Sequence, residues 1–208
     1  MESNQIIIGS GAEYLYGLII AMLGRQHIYG IESPSYKKIE QVYRAADVKY
    51  ELLPLSHDGI DSTALARTRA SVIHTTPYRS FPTGITASAN KRHEYIRWSS
   101  KKRRIIIEDD FESEFSVSPK PKETLYSLSD YDNVIYMNTF SKTISPALRV
   151  GYMVLPKRLV NDFESKLGFY SCTVPTFEQF VLAQLINSGD FERHINRVRR
   201  SLRKRLYT

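Results

Sequence analysis

Three short stretches of this chain carry residue types that do chemistry. Gly9-Ser10-Gly11-Ala12-Glu13-Tyr14-Leu15 follows the apolar run 6–8 and leads into an amphipathic segment. Small residues at such a turn leave backbone N–H groups and the positive end of a helix open to a phosphate. A tight turn entering a helix accounts for the same residues, and neither the Walker pattern nor the third glycine of the dinucleotide fingerprint follows. Glu108-Asp109-Asp110-Phe111-Glu112-Ser113-Glu114 comes directly after the apolar run 105–107. A metal is one reading of so many carboxylates. The five histidines (His27, His57, His74, His93, His194) show no paired ligand spacing, however, and an acidic run is more often a solvated loop, so no metal site is expected. Thr139-Phe140-Ser141-Lys142 is the third stretch, with Arg149 seven residues beyond Lys142. Taken alone, a lysine between hydroxyls is also an ordinary surface feature.

The elements that must position these residues follow from hydrophobic periodicity. Apolar runs of strand length stand at 28–32, 48–55, 71–75, 104–108, 133–137 and 150–155. Segments of helical period stand at 12–25, 35–46, 61–68 and 88–102, and further ones follow the last strand at 157–169, 175–188 and 190–206. Such alternation predicts an α/β fold. A run such as Arg104-Ile105-Ile106-Ile107-Glu108 has no polar alternation, as expected where helices cover both faces of a mostly parallel central sheet. Ligands of such sheets bind beyond the carboxyl ends of the strands, where the acidic run and the Ser141-Lys142 pair fall.

Composition narrows the class of protein. With 208 residues, 42% hydrophobic and 25% charged, the chain is neither disordered nor collagenous, and its single cysteine, Cys172, makes no internal disulfide. Its longest apolar stretches fall well short of the roughly 20 residues that cross a bilayer, so neither a membrane span nor a membrane partner is expected. Nothing at the N-terminus reads as a targeting signal, and a cytoplasmic location is expected. The net charge of +7 is concentrated between Arg193 and Thr208, where seven basic residues meet no acidic one. In that segment Phe191, Ile195, Val198, Leu202 and Leu206 form a stripe of helical period, which favours a docking helix over a nucleic-acid contact.

The joint order of a phosphate-type turn, Pro34-Ser35-Tyr36, Pro82-Thr83-Gly84, a post-strand aspartate and Ser-Lys followed by arginine resembles the fold-type I pyridoxal-phosphate enzymes, aminotransferase class I and II. Within them the chain is most similar to the aminotransferase-like domain of MocR/GabR-type transcriptional regulators. Ile107-Glu108-Asp109-Asp110-Phe111-Glu112-Ser113-Glu114-Phe115, Asn138-Thr139-Phe140-Ser141-Lys142 and Leu148-Arg149-Val150-Gly151-Tyr152 carry the likeness, which spans nearly the whole chain.

The resemblance implies pyridoxal 5'-phosphate as cofactor, with Lys142 joined to its aldehyde as an imine. A lysine must shed its proton to attack a carbonyl, which desolvation and a neighbouring cation such as Arg149 favour. By the same resemblance Asp109 pairs with the pyridine nitrogen and lets the ring accept electrons, and Tyr36 stacks on the ring. Arg149, the N–H groups of Gly11, Ala12 and Glu13, and the hydroxyls of Thr139 and Ser141 would hold the phosphate. Two departures stand out. Phe81 occupies the place where aminotransferases commonly carry an asparagine, with Tyr78-Arg79-Ser80 before it in place of the regulators' His-Gln, and Phe111 replaces a tyrosine.

Several expectations follow from the likeness. Residues 1–189 form the cofactor-binding large domain, and 190–208 begin the helix leading to a C-terminal small domain that lies beyond the sequence. The regulators' winged helix-turn-helix, their route to DNA, is expected upstream of residue 1. The function expected first is a regulator domain that binds pyridoxal phosphate and senses a small amino compound. A working aminotransferase that moves an amino group between an amino acid and a 2-oxo acid is the alternative, and an inactive fragment the third reading. A homodimer is expected because fold-type I sites form between two subunits.

Overall fold

A computed structural model of the chain describes residues 1–101, 104–110, 113–115 and 123–206. In order, the elements are β1 (Ile6–Gly9), α1 (Ala12–Leu23), β2 (Ile28–Ser33), α2 (Lys37–Ala45), β3 (Lys49–Ser56), β4 (Gly59–Ile60), α3 (Ser62–Arg67), β5 (Val72–Thr75), α4 (Ala89–Ser99), β6 (Ile105–Asp110), α5 (Leu125–Leu128), β7 (Val134–Thr139), β8 (Gly151–Val154), α6 (Lys157–Leu167), α7 (Thr176–Asn187) and α8 (Asp190–Leu206). All six predicted strands and all seven predicted helices are present, with ends shifted by a few residues. β1, β4 and α5 are additional. The Phe111 substitution lies outside the described residues.

The strands form one mixed sheet in the order β1-β8-β7-β6-β5-β2-β3-β4. Its centre, β3-β2-β5-β6-β7, is parallel. Every residue of β5 and β6 is buried, which explains why their sequences lack polar alternation. Helices cover both faces. Ile105 and Ile107 pack with Leu15, Ile19 and Met22 of α1, Tyr43 of α2 and Leu159 of α6, whereas Ile106 packs on the other side with Leu65 of α3, Tyr95 and Trp98 of α4 and Leu125 of α5. That split is the two-residue alternation of a strand, and each such apolar side chain contributes roughly 1.5–3 kcal/mol through burial.

The edge that matters for function is made by a reversal of direction. β8 runs antiparallel to both β7 and β1, so its first residue, Gly151, is paired with Thr139 at the end of β7 and with Gly9 at the end of β1. The turn after β1, the segment after β7 and Arg149 just before β8 therefore meet at the same sheet edge. Residues separated by more than a hundred positions are brought there by register alone.

The last two helices lie less deeply. α7 buries Leu182 against Val150 and Val174, and α8 sends Ile195 inward, with Phe191 edge-on to Phe140 at 5.7 Å. His194 Nε2 is 2.8 Å from the Thr143 carbonyl, and Arg199 donates from Nε to the Glu114 carbonyl. The apolar stripe read from the sequence thus meets the body of the chain itself at Phe191 and Ile195. Among the described residues, no helix is long and apolar enough to cross a membrane.

Candidate functional site

The sheet edge opens into a cavity of about 440 Å³. Ala12, Glu13, Tyr36, Asp109, Thr139, Ser141, Lys142 and Arg149, eight of the nine residues singled out from the sequence, line it. Gly11, the ninth, lies directly behind Arg149. Its φ of +95° suits glycine, and a Cβ there would stand 2.6 Å from Arg149 Nη2. Its N–H donates to the Gly9 carbonyl at 2.8 Å, so Gly11 supplies room for the guanidinium rather than a donor to the cavity.

α1 begins without a side-chain cap, because its N-cap residue is Gly11. Helices α3, α4 and α5 each carry one: Asp61, Ser88 and Thr124 accept backbone N–H groups in their first turns. The start of α1 instead faces the cavity, where Glu13 is paired with Arg149 (Nη2 to Oε2, 2.9 Å) and with Lys38 (Nζ to Oε1, 3.0 Å). The positive end of a helix and a guanidinium point at one spot, an arrangement suited to an anion.

Asp109 lies at the opposite wall and is almost fully buried. Its Oδ2 accepts the Tyr16 hydroxyl and stands 3.3 Å from His74 Nε2, while His74 Nδ1 is 3.1 Å from the Tyr43 hydroxyl. One tautomer of His74, with the proton on Nε2, satisfies both of its contacts. Burial, reinforced by the Asp109 charge, pushes the Tyr16 phenol well above its usual range, and burial together with Tyr29 and Asp109 does the same to Tyr43. Both hydroxyls remain donors at neutral pH. The carboxylate is thus held in one orientation by groups that do not compete for its charge.

The other acids of the run serve different places. Glu108 points to the opposite face of the sheet, accepting the Tyr78 hydroxyl (2.6 Å) and the Leu125 and Tyr126 N–H groups (2.7 and 2.9 Å) at the start of α5. Burial pushes its carboxyl up to about 7. Asp110 accepts the Ser113 N–H and hydroxyl and the Tyr136 hydroxyl. Strand alternation alone separates Asp109 from its neighbours.

Tyr36 stands at the N-cap of α2, 41% exposed, with its ring edge-on to Phe81 at 6.0 Å. Phe81 itself lines the cavity, as does Arg79. Ser80 donates to Glu32, which also accepts from Thr75 and from the Thr76 N–H and hydroxyl; these contacts tie the segment after β5 to β2. The Tyr78-Arg79-Ser80 departure is therefore divided three ways, with only Arg79 turned to the cavity.

Tyr16, Ile39 and Thr76 line the cavity without having been singled out, Arg79 joins them from the departure already noted, and His74 stands behind it. Tyr16 falls one helical turn beyond Ala12, on the same face of α1, which is a usable signal. His74 is the one ring nitrogen carrier in the apolar run 71–75 and shares a sheet face with Asp109, since it pairs in register with Ile107.

This doubly covered mixed sheet, with lysine, aspartate and arginine gathered at the carboxyl ends of its parallel strands, defines an aminotransferase-type fold. The chain belongs to the aminotransferase class I and II family, whose model matches residues 1–207. Among curated proteins it is 31% identical over 202 residues to the uncharacterized HTH-type transcriptional regulator YdeL of Bacillus subtilis, a match covering 97% of this chain and 44% of YdeL. It is 29% identical to the probable rhizopine catabolism regulatory protein MocR of Rhizobium meliloti, covering 95% of this chain and 40% of MocR. Among solved structures, the Pyrococcus horikoshii kynurenine aminotransferase, in complex with PMP, superposes with a TM-score of 0.84 at 27% identity, covering 94% of this chain and 51% of that one. The chain spans less than half the length of the curated regulators it matches. The family implies pyridoxal phosphate as its cofactor.

Proposed function

We propose that this chain is the pyridoxal-phosphate-binding, aminotransferase-like part of a MocR/GabR-type transcriptional regulator, which senses a small amino compound. The observation that carries the reading is the convergence of Lys142, Asp109 and Arg149 on one cavity. The residues present fit the cofactor. The recess behind Arg149 admits no Cβ at Gly11, the capless start of α1 and the hydroxyls of Thr139 and Ser141 suit a phosphate, and the buried Asp109 carboxylate at the far wall suits a cationic ring nitrogen.

When bound, pyridoxal phosphate supplies an aldehyde for amines and a ring that accepts electrons. Lys142 would provide the amine that holds the cofactor at that aldehyde, with loss of water, and an incoming amino compound would take its place. Asp109, held by Tyr16 and His74, would keep a proton on the pyridine nitrogen. Tyr36 and Phe81 form an aromatic wall at the mouth that would orient the ring. The HTH-type relatives support a DNA-binding segment in the whole protein, reached through chain outside residues 1–208. The cofactor-binding unit is residues 1–189, and α8 begins the link to the remainder.

A second reading, a working aminotransferase, is favoured by the likeness to the kynurenine enzyme. Both readings need the same site, and the absorption spectrum of the protein with pyridoxal phosphate, before and after borohydride, tests it. The expected result is covalent trapping in the wild type and none in Lys142→Ala. Equal free-aldehyde spectra in the two proteins would remove the cofactor from this chain. Adding an amino acid to the loaded protein separates the readings: release of a 2-oxo acid identifies the enzyme, and a spectral change without release identifies the sensor.

A further inference from the structure

Glu13 lines the cavity at the start of α1, and its carboxylate is bound to donors that the proposed phosphate would use. It accepts the N–H of its own residue, the Arg149 guanidinium at 2.9 Å and the Lys38 ammonium at 3.0 Å. A helix-end N–H and a guanidinium are the donors an entering phosphate needs. Partial burial raises the Glu13 carboxyl, but its own N–H, Lys38 and Arg149 outweigh burial and hold it below the usual carboxylate range, so it is charged at neutral pH.

We propose that Glu13 sets the affinity of this site for phosphate esters: its carboxylate occupies the anion seat on Arg149, and a phosphate binds by displacing it toward Lys38. The inference rests on the pyridoxal phosphate reading and adds its regulation. Lys38 makes the displacement feasible. It lies in the first turn of α2, and its Nζ already holds the oxygen of Glu13 that Arg149 does not take. A carboxylate leaving Arg149 thus stays paired with a cation. Two anions sharing one guanidinium repel, so a simple phosphate is held weakly, whereas a phosphate ester that also bonds covalently to Lys142 overcomes the competition. The seat thereby favours an aldehyde-bearing phosphate over the free anion.

Calorimetric titration of the full chain with inorganic phosphate tests this. Glu13→Gln keeps the side chain's size and removes its charge, and it is expected to bind phosphate about tenfold more tightly than the wild type, the gain shrinking in high salt. Unchanged or weaker binding, in a variant whose circular dichroism and melting match the wild type, overturns the proposal. Lys38→Met supplies a second arm through a double-mutant cycle. It is expected to weaken phosphate binding in the wild type and to do so much less beside Glu13→Gln; equal losses in both backgrounds show a direct effect of Lys38 and overturn the displacement. Borohydride trapping at Lys142 keeps the two readings apart. Trapping without a gain in Glu13→Gln removes this inference alone, and a gain without trapping supports the seat while removing the cofactor.

Discussion

His74 and Asp109, 35 residues apart in the chain, face each other across neighbouring strands with Nε2 3.3 Å from Oδ2. The contact extends to the Tyr43 hydroxyl behind His74, and the same Asp109 oxygen accepts the hydroxyl of Tyr16, whose ring packs edge-on against His74 at 4.9 Å. All four side chains are buried. A carboxylate so held has its orientation decided before any cofactor arrives, which is how supporting groups commonly fix a functional residue.

His74 is accordingly a positioning residue, and its replacement has two separable effects. His74→Leu leaves the Tyr43 hydroxyl and one lone pair of Asp109 without partners in a buried place, a loss of about 1–3 kcal/mol in urea unfolding. It also alters the pH dependence of the absorption band of the loaded protein, because Asp109 loses a donor. His74→Gln returns a donor toward Asp109 and is expected to restore the band more fully than the stability. An unchanged pH profile in His74→Leu would confine the residue to packing.

Gly11→Ala is expected to damage the phosphate seat without touching a polar group. The substitution places a methyl 2.6 Å from Arg149 Nη2 and asks alanine to adopt a φ of +95°. With ψ at 175°, that backbone is almost exclusive to glycine, and the strain alone costs about 1–3 kcal/mol. Arg149 must also move, so phosphate affinity falls at least tenfold in calorimetry. Gly17→Ala is the control, since a Cβ there meets nothing within 4 Å, and affinity is expected to be unchanged.

Glu108 links stability to pH. Burial pushes its carboxyl from 4.5 up to about 7, so between those values the folded state binds more protons than the unfolded one. Stability from this group is full below about pH 4.5 and is lost as pH rises toward 7. The change is on the order of 3 kcal/mol. Urea midpoints measured from pH 4.5 to 7.5 are expected to decline more steeply in the wild type than in Glu108→Gln, which cannot titrate. Parallel curves would show that the three donors on Glu108 cancel its burial.

The central strands are legible in the sequence because parallel strands covered on both faces need unbroken apolar residues, and the runs at β5, β6 and β7 have them. Lys142, Asp109 and Arg149 each stand near a strand end, but their roles are legible only through the joint order of motifs that resembles the family. The antiparallel pairing of β1 with β8 is not legible: what makes the short run Ile6–Gly9 a strand is a partner some 145 residues later. Nor is α5, four residues that no periodicity reveals, whose first N–H groups are claimed by Glu108 from 17 residues upstream. Tyr16 and His74 owe their place to packing across helix and sheet. The Arg149–Glu13 pair, which turns a donor site into a self-occupied one, likewise emerges only when β8 reverses direction.

α7 and the segment before it present Phe169, Tyr170, Phe177 and Phe180 to solvent, the first and third more than 70% exposed. Beside them a shallow groove runs between Ile144, Leu148, Phe177, Val181 and Leu185. A monomeric surface seldom carries so many clustered aromatics, and aromatic side chains contribute heavily to protein interfaces. A homodimer, expected from the family's build, would give this face a partner. Sedimentation velocity of the wild type is expected to show a dimer, and Phe177→Ser with Phe180→Ser to weaken it at least tenfold, at the scale of about 2 kcal/mol for a central aromatic. The aromatics lie away from the residues lining the 440 Å³ cavity, so inorganic phosphate binding is expected to persist in the weakened dimer. A wild-type monomer that still traps pyridoxal phosphate at Lys142 would show instead that one subunit suffices for the site and that this face answers to another part of the protein.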